Sequence, residues 1–146
     1  MKSIKIYNNL NLPTDLEQNQ ITQFLFTQLE EYGDPQHDIE KAIAYALKAN
    51  PGGLVLVAMD GPILTGAVVL NRTGMESYIP ENILVYIATH KDYRGQGIGK
   101  DLMLTAIEKA QGNIALHVEP DNPAKNLYEK LGFTNKYLEM RLIKNS

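Results

Sequence analysis

Residues 84–112 read LVYIATHKDYRGQGIGKDLMLTAIEKAQG, and the order of patterns in this stretch decides the fold. Leu84–Thr89 is an apolar run with little alternation, as in a strand buried on both faces. From Gly97 to Gln111 the residues Ile98, Leu102, Ala106, Ile107 and Ala110 recur at helical spacing, and Gly112 stands where such a helix stops. Between strand and helix lies a short basic turn, Arg94–Gly95–Gln96–Gly97–Ile98–Gly99–Lys100. A strand feeding such a turn aims several backbone N–H groups and a helix N-terminus at one spot, which suits a phosphorylated ligand.

Working outward, Ser3–Tyr7 alternates polar and apolar residues as a half-buried strand does. Thr14 and Asp15 offer helix caps after Pro13, and Leu16, Ile21, Phe24, Leu25 and Leu29 carry a helical stripe through Glu31. Gly33–Asp34–Pro35 stops it. A second helix from about Asp38 places Ile39, Ala42, Ile43, Ala46 and Leu47 on one face and ends at Pro51–Gly52–Gly53. Leu54–Met59 and Ile63–Leu70 flank Asp60–Gly61, a hairpin signal, and residues 71–82 read as a polar loop. Beyond Gly112 the pattern predicts a short strand over Ile114–Val118, a short helix from Pro123 to Leu131, and one or two closing strands between Phe133 and Ile143. The order β-α-α-β-β-β-α-β-α-β(β), without repeat or linker, predicts a mixed α/β single domain over residues 1–146.

Composition narrows the function classes. A net charge of −3 disfavours a nucleic-acid partner held by bulk electrostatics. The chain has no cysteine, which removes disulfides, thiolate metal sites and a cysteine nucleophile together. His37, His90 and His117 lack the short spacings of zinc sites, so no metal is expected. No apolar run approaches a membrane span and the N-terminus carries no leader-like apolar stretch, so the expected location is cytoplasmic, with no membrane partner.

Three phosphate-binding patterns compete for the glycine turn. Arg94 stands where a Walker A loop has its first glycine, and Asp101 where it has the hydroxyl that holds magnesium. In a dinucleotide fingerprint starting at Gly95, Lys100 holds the third glycine position, and the turn follows the fourth strand rather than the first, although Glu119 imitates the ribose-binding acid. The third pattern fits throughout. Arg94-x-x-Gly97-x-Gly99, directly after a strand and opening a helix, resembles the acyl-coenzyme A pyrophosphate loop of the GNAT N-acetyltransferases. The resemblance runs upstream through Tyr86–Thr89 and Asp92–Gly95, and downstream through Leu127–Tyr128–Glu129–Lys130–Leu131–Gly132–Phe133, a second signature of that family. It covers about residues 84–134; the N-terminal half matches in element order.

The resemblance implies a mostly antiparallel twisted sheet with helices on both faces, splayed where the coenzyme enters. It implies an enzyme moving acetyl from acetyl-CoA to a primary amine of a small molecule or peptide, in a ternary complex and without metal. Arg94, Gly95, Gln96, Gly97, Ile98, Gly99 and Lys100 would hold the pyrophosphate: glycines admit close oxygen approach, and the cations add charge. Ile87, Ala88 and Thr89 would pair through their backbone with the pantetheine arm, one N–H polarising the thioester carbonyl. Asn122 would contact pantetheine, with Asp121 standing at the family's usual asparagine position. Tyr128 would protonate the departing thiolate, a task that suits a phenol neutral at pH 7. For the general base the candidates are Glu81 and Glu119, with Glu76 behind them, and the acids Glu30, Glu31, Asp34 and Asp38 could draw a cationic amine. A homodimer is a family expectation. Two other classes stand beside this reading: a coenzyme-binding regulatory module with little turnover, and a magnesium-dependent nucleotide binder.

Overall fold

Thr14 starts the first helix by a reciprocal cap. Its hydroxyl accepts from the Glu17 N–H at 3.1 Å, and the Glu17 carboxylate accepts from the Thr14 N–H at 2.8 Å. Two donors that a helix start leaves over are thereby satisfied. The computed structural model describes residues 2–144. Its elements are β1 (Lys2–Tyr7), α1 (Asp15–Gln28), a 3-10 turn (Glu30–Tyr32), α2 (Gln36–Ala46), β2 (Gly53–Asp60), β3 (Ile63–Arg72), β4 (Asn82–Thr89), a second 3-10 turn (Lys91–Tyr93), α3 (Ile98–Lys109), β5 (Ile114–Leu116) and α4 (Ala124–Lys130). Contacts divide the chain into two compact units, Met1–Leu116 and His117–Ser146.

In the first unit the strands lie in the order β1-β2-β3-β4-β5; the first four pair antiparallel and β5 joins β4 in parallel. The expected mixed, mostly antiparallel α/β architecture is therefore present. Val55, Val57, Ala67, Val69, Tyr86 and Ala88 form one core with Phe24 and Leu25 of α1 and Ile39 and Ile43 of α2. Each fully buried leucine or isoleucine there contributes about 2 kcal/mol relative to exposure. Helix α3 covers the opposite face closely. A Cβ on Gly66 would lie 2.7 Å from Leu102 Cδ1 and 2.9 Å from Ile98 Cγ2.

Strand β4 departs from the expected two-sided burial. Asn82, Leu84, Tyr86 and Ala88 are buried, while Ile83, Val85, Ile87 and Thr89 are half-buried. The cause is a bulge: Val69 pairs with Tyr86 and Leu70 with Leu84, so Val85 is an extra residue without a partner on β3. It changes the face on which successive residues emerge and sharpens the local twist. Pairing to β5 involves Asn82, Ile83 and Leu84 and stops directly before the bulge, so the sheet opens there. In α3 the buried stripe is Ile98, Leu102, Met103 and Ala106; Ile107, expected inside, is 38% exposed at its rim.

In the second unit Asn122 Oδ1 accepts from the Ala124 N–H at 2.9 Å and caps α4. Phe133 folds back on the helix end: its N–H donates to the Tyr128 carbonyl, and the two rings meet edge-on with centroids 5.9 Å apart. The closing strands expected between Phe133 and Ile143 are not formed. The alternation of a strand is present in residues 137–143, but they find no ladder partner among the described residues. No helix among the described residues is long and apolar enough to cross a membrane.

Candidate active site

The open edge of β4 follows from hydrogen-bond parity. His90 N–H donates to Thr65 O at 2.8 Å, and in antiparallel pairing such bonded residues alternate. Tyr86, Ala88 and His90 therefore bond to β3, whereas Ile87 and Thr89 turn their N–H and C=O toward the other edge. Before the bulge that edge is occupied: Asn82 N–H donates to Asn113 O at 3.0 Å. After it, no strand of the first unit pairs with Ile87 or Thr89. Ile87 and Thr89 thus turn their backbone groups to the open edge, and Ala88 bonds to β3.

Beyond Thr89 the chain enters the glycine turn. Gly95 and Gly97 both have φ of 80°, a left-handed backbone that other residues rarely adopt, and a Cβ on either would meet nothing within 4 Å. Gly97 is the N-cap of α3 and no side chain caps the helix, whose first interior bond is Asp101 N–H to Gly97 O at 3.0 Å. The N–H groups of Ile98, Gly99 and Lys100 are consequently free of helical partners, at the positive end of the dipole. Gly99 lies inside the first helical turn, so the permissive backbone belongs to Gly95 and Gly97. Gln96 and Lys100 are exposed.

Arg94 is already engaged. Its guanidinium lies 2.9 Å from Glu30 Oε1 and 3.3 Å from Gln28 O, and Gln28 Oε1 accepts from the Lys91 N–H at 2.9 Å. Both members of the Arg94–Glu30 pair are about half exposed, so solvent screens it and its worth is small. The pair ties the turn to the end of α1 through residues that sequence reading passed over: Gln28 carries no motif. His90, at the end of β4, accepts from the Asp92 N–H on Nδ1 and sets its ring edge-on to Tyr93.

Tyr86, part of the motif but given no role by the sequence, is engaged as well. Its hydroxyl donates to Asp34 Oδ2 in the connection between α1 and α2. Burial pushes the phenol well above its usual range, and the Asp34 hydrogen bond and the charges of Asp34 and Asp38 push the same way. Two of the four acids expected to attract an amine thus gather beside β4.

The second unit holds the remaining candidates. Tyr128 is buried, and burial pushes its hydroxyl up to about 12. No hydrogen bond contributes to that shift. Asn122 spends its side-chain oxygen on capping α4, which leaves its amide hydrogens for a ligand. Glu119 is exposed.

Glu81 is a structural carboxylate rather than a base. Its oxygens accept from the Ser77 N–H at 3.0 Å and the Asn113 N–H at 2.7 Å, which hold its carboxyl below the usual range. It precedes the first residue of β4 while the glycine turn follows the last, a separation of roughly 25 Å along the strand. Glu81→Ala should lower the melting temperature and leave coenzyme binding unchanged. Because the folded carboxyl is depressed, its contribution is present above the unfolded value near 4.5 and lost as pH falls below it. The melting deficit of the variant should therefore shrink in acid, as thermal scans at several pH values will read.

Comparison with known proteins identifies the family and the fold. A family model described as an acetyltransferase (GNAT) domain matches residues 51–135. Among curated proteins no sequence matches the chain. An aminoglycoside N-acetyltransferase solved in complex with CoA superposes with a TM-score of 0.73 at 17% identity, covering 100% of this chain and 96% of that one. A GNAT-family acetyltransferase of Streptococcus pneumoniae TIGR4 gives 0.70 at 21% identity, with 100% of each chain covered. A protein of Pyrococcus horikoshii OT3 gives 0.70 at 27% identity, over 94% of this chain and 93% of that one. The solved structures share the fold, while the family match spans β2 through α4 and includes the glycine turn and Tyr128. The chain belongs to the GNAT acetyltransferase family.

Proposed function

We propose that the protein transfers an acetyl group from acetyl-CoA to an amine by direct attack in a ternary complex. The observation that carries this reading is the continuity of the open β4 edge at Ile87 and Thr89 with the bare N-terminus of α3. An extended amide-bearing arm matches the first, and a pyrophosphate matches the second. Arg94 and Lys100 add charge at the phosphate end, with Gln96 beside them. A β4 N–H polarises the thioester carbonyl and stabilises the oxyanion formed on attack. Tyr128 gives its proton to the departing thiolate. Asp34 and Asp38 attract the cationic amine, and Glu119 is the carboxylate retained as a base. Holding the reactants together supplies much of the rate.

Calorimetric titration with acetyl-CoA, followed by a thiol-release assay over a panel of amines, tests the proposal. Saturable binding and amine-dependent release are expected, unchanged by EDTA. Absence of heat at millimolar ligand overturns it, and binding without release from any amine makes the protein a coenzyme-binding module. Arg94→Ala should weaken coenzyme binding about ten- to a hundredfold, the worth of a charge-assisted hydrogen bond. An affinity that stays at the wild-type value would remove Arg94 from the phosphate site.

A further inference from the structure

Glu30, in the 3-10 turn after α1, has φ of 55°. A left-handed backbone strains any residue that carries a Cβ, and glycine would suit the position better. The Glu30 side chain makes one hydrogen bond among the described residues, accepting on Oε1 from Arg94 Nη2 at 2.9 Å. That pair is half exposed and adds little to the fold. A strained residue whose side-chain bond goes to the first residue of the glycine turn points to function rather than to folding.

Where the guanidinium is held decides what the contact does. Both of its bonds fall on Nη2, to Glu30 Oε1 and, at 3.3 Å, to Gln28 O. Gln28 closes α1, and its carbonyl is one of those that a helix end leaves over. Its side chain also accepts from the Lys91 N–H at 2.9 Å, so the end of α1 grips the chain at Lys91 and again at Arg94. The N–H groups on Nη1 and Nε keep no partner among the described residues. We propose that Glu30 is a positioning residue for the coenzyme: with Gln28 O it fixes one edge of the Arg94 guanidinium, so that the other edge meets the pyrophosphate in one orientation. This rests on the reading of the glycine turn as the pyrophosphate site. An arginine already held gives up less freedom when it grips a ligand. The negative charge of Glu30 opposes an incoming anion, so its benefit lies in the acceptor oxygen and not in the charge.

Two substitutions separate orientation from charge. Glu30→Gly removes the oxygen and relieves the backbone, so the variant should fold with a melting temperature no lower than that of the unmodified protein. Glu30→Gln removes the same charge and keeps an acceptor. In calorimetric titration with acetyl-CoA, Glu30→Gln should bind at least as tightly as the unmodified protein. Glu30→Gly should bind about three- to tenfold more weakly than Glu30→Gln, the scale of ordering one long side chain. In steady state that loss should fall on the KM for acetyl-CoA rather than on kcat. Placed on an Arg94→Ala background, the two substitutions should no longer differ, because both act through Arg94. Equal affinities of Glu30→Gly and Glu30→Gln overturn this inference alone, as does a difference that survives Arg94→Ala. Absence of binding to the unmodified protein overturns the reading of the turn, and the role of Glu30 with it.

Discussion

Replacing Tyr128 with phenylalanine is expected to lower kcat about a hundredfold, the scale of a lost general acid, with little change in the KM for acetyl-CoA. The substitution is structurally mild. The ring keeps its edge contact with Phe133, and burial alone, with no hydrogen bond, accounts for the shift of its hydroxyl. A steady-state comparison of the two proteins reads the effect, and a kcat within twofold of wild type would remove Tyr128 from the chemistry. The same variant carries a control in its stability. Burial raises the Tyr128 hydroxyl from 10.0 to about 12, so the folded state holds a proton that the unfolded chain has lost between those values. This stabilisation is complete below pH 10 and disappears as pH climbs toward 12, amounting to about 3 kcal/mol. Tyr128→Phe should lack that part of the alkaline loss, which denaturant titrations between pH 9 and about 11 will resolve.

Gly53→Ala should be the most damaging small substitution in the sheet. A Cβ at Gly53 would stand 2.0 Å from Leu70 O and 3.0 Å from Asn71 Cα. Both are backbone atoms of β3, paired to β2 in register, and neither can retreat without parting the two strands. A loss of about 3 kcal/mol or more is expected, lowering Tm by roughly 10 °C. Gly61→Ala provides the contrast. There φ is 58° and nothing lies within 4 Å, so only conformational strain of about 1 kcal/mol applies. Melting curves of the two variants should differ severalfold in their shift, and equal shifts would contradict the contact.

What could be read from sequence were the features whose causes are local. Asp60–Gly61 between two apolar runs gave the β2–β3 hairpin, and the Thr14 cap gave the start of α1, because neighbours a few residues away decide both. The glycine turn was legible for the same reason, although the left-handed residues are Gly95 and Gly97 rather than Gly99. What stayed hidden depends on distant partners. Glu81 looked like a free acid because Ser77 and Asn113, which occupy it, become its neighbours only after folding. Gln28 gave no signal, and Tyr86 stood in the motif without a role of its own, since Lys91 and Asp34 reach them from elsewhere in the fold. The segment from Tyr137 to Ile143 has a strand's alternation, but a pattern specifies a face to be covered and not what covers it.

Val85 looks like any other valine in an apolar strand, yet β4 keeps time through it. Upstream, the amides of Asn82 and Leu84 point toward β5; downstream, those of Ile87 and Thr89 point the same way. The beat passes from even to odd residue numbers at Val85. Slipping the downstream pairing by one residue at this point would put Tyr86 and Ala88 on the open edge and return Ile87 and Thr89 to the ladder with β3. The core would lose its tyrosine in the same step. Core packing and the open edge of β4 are therefore set by one count along the chain, and neither can be re-phased without the other.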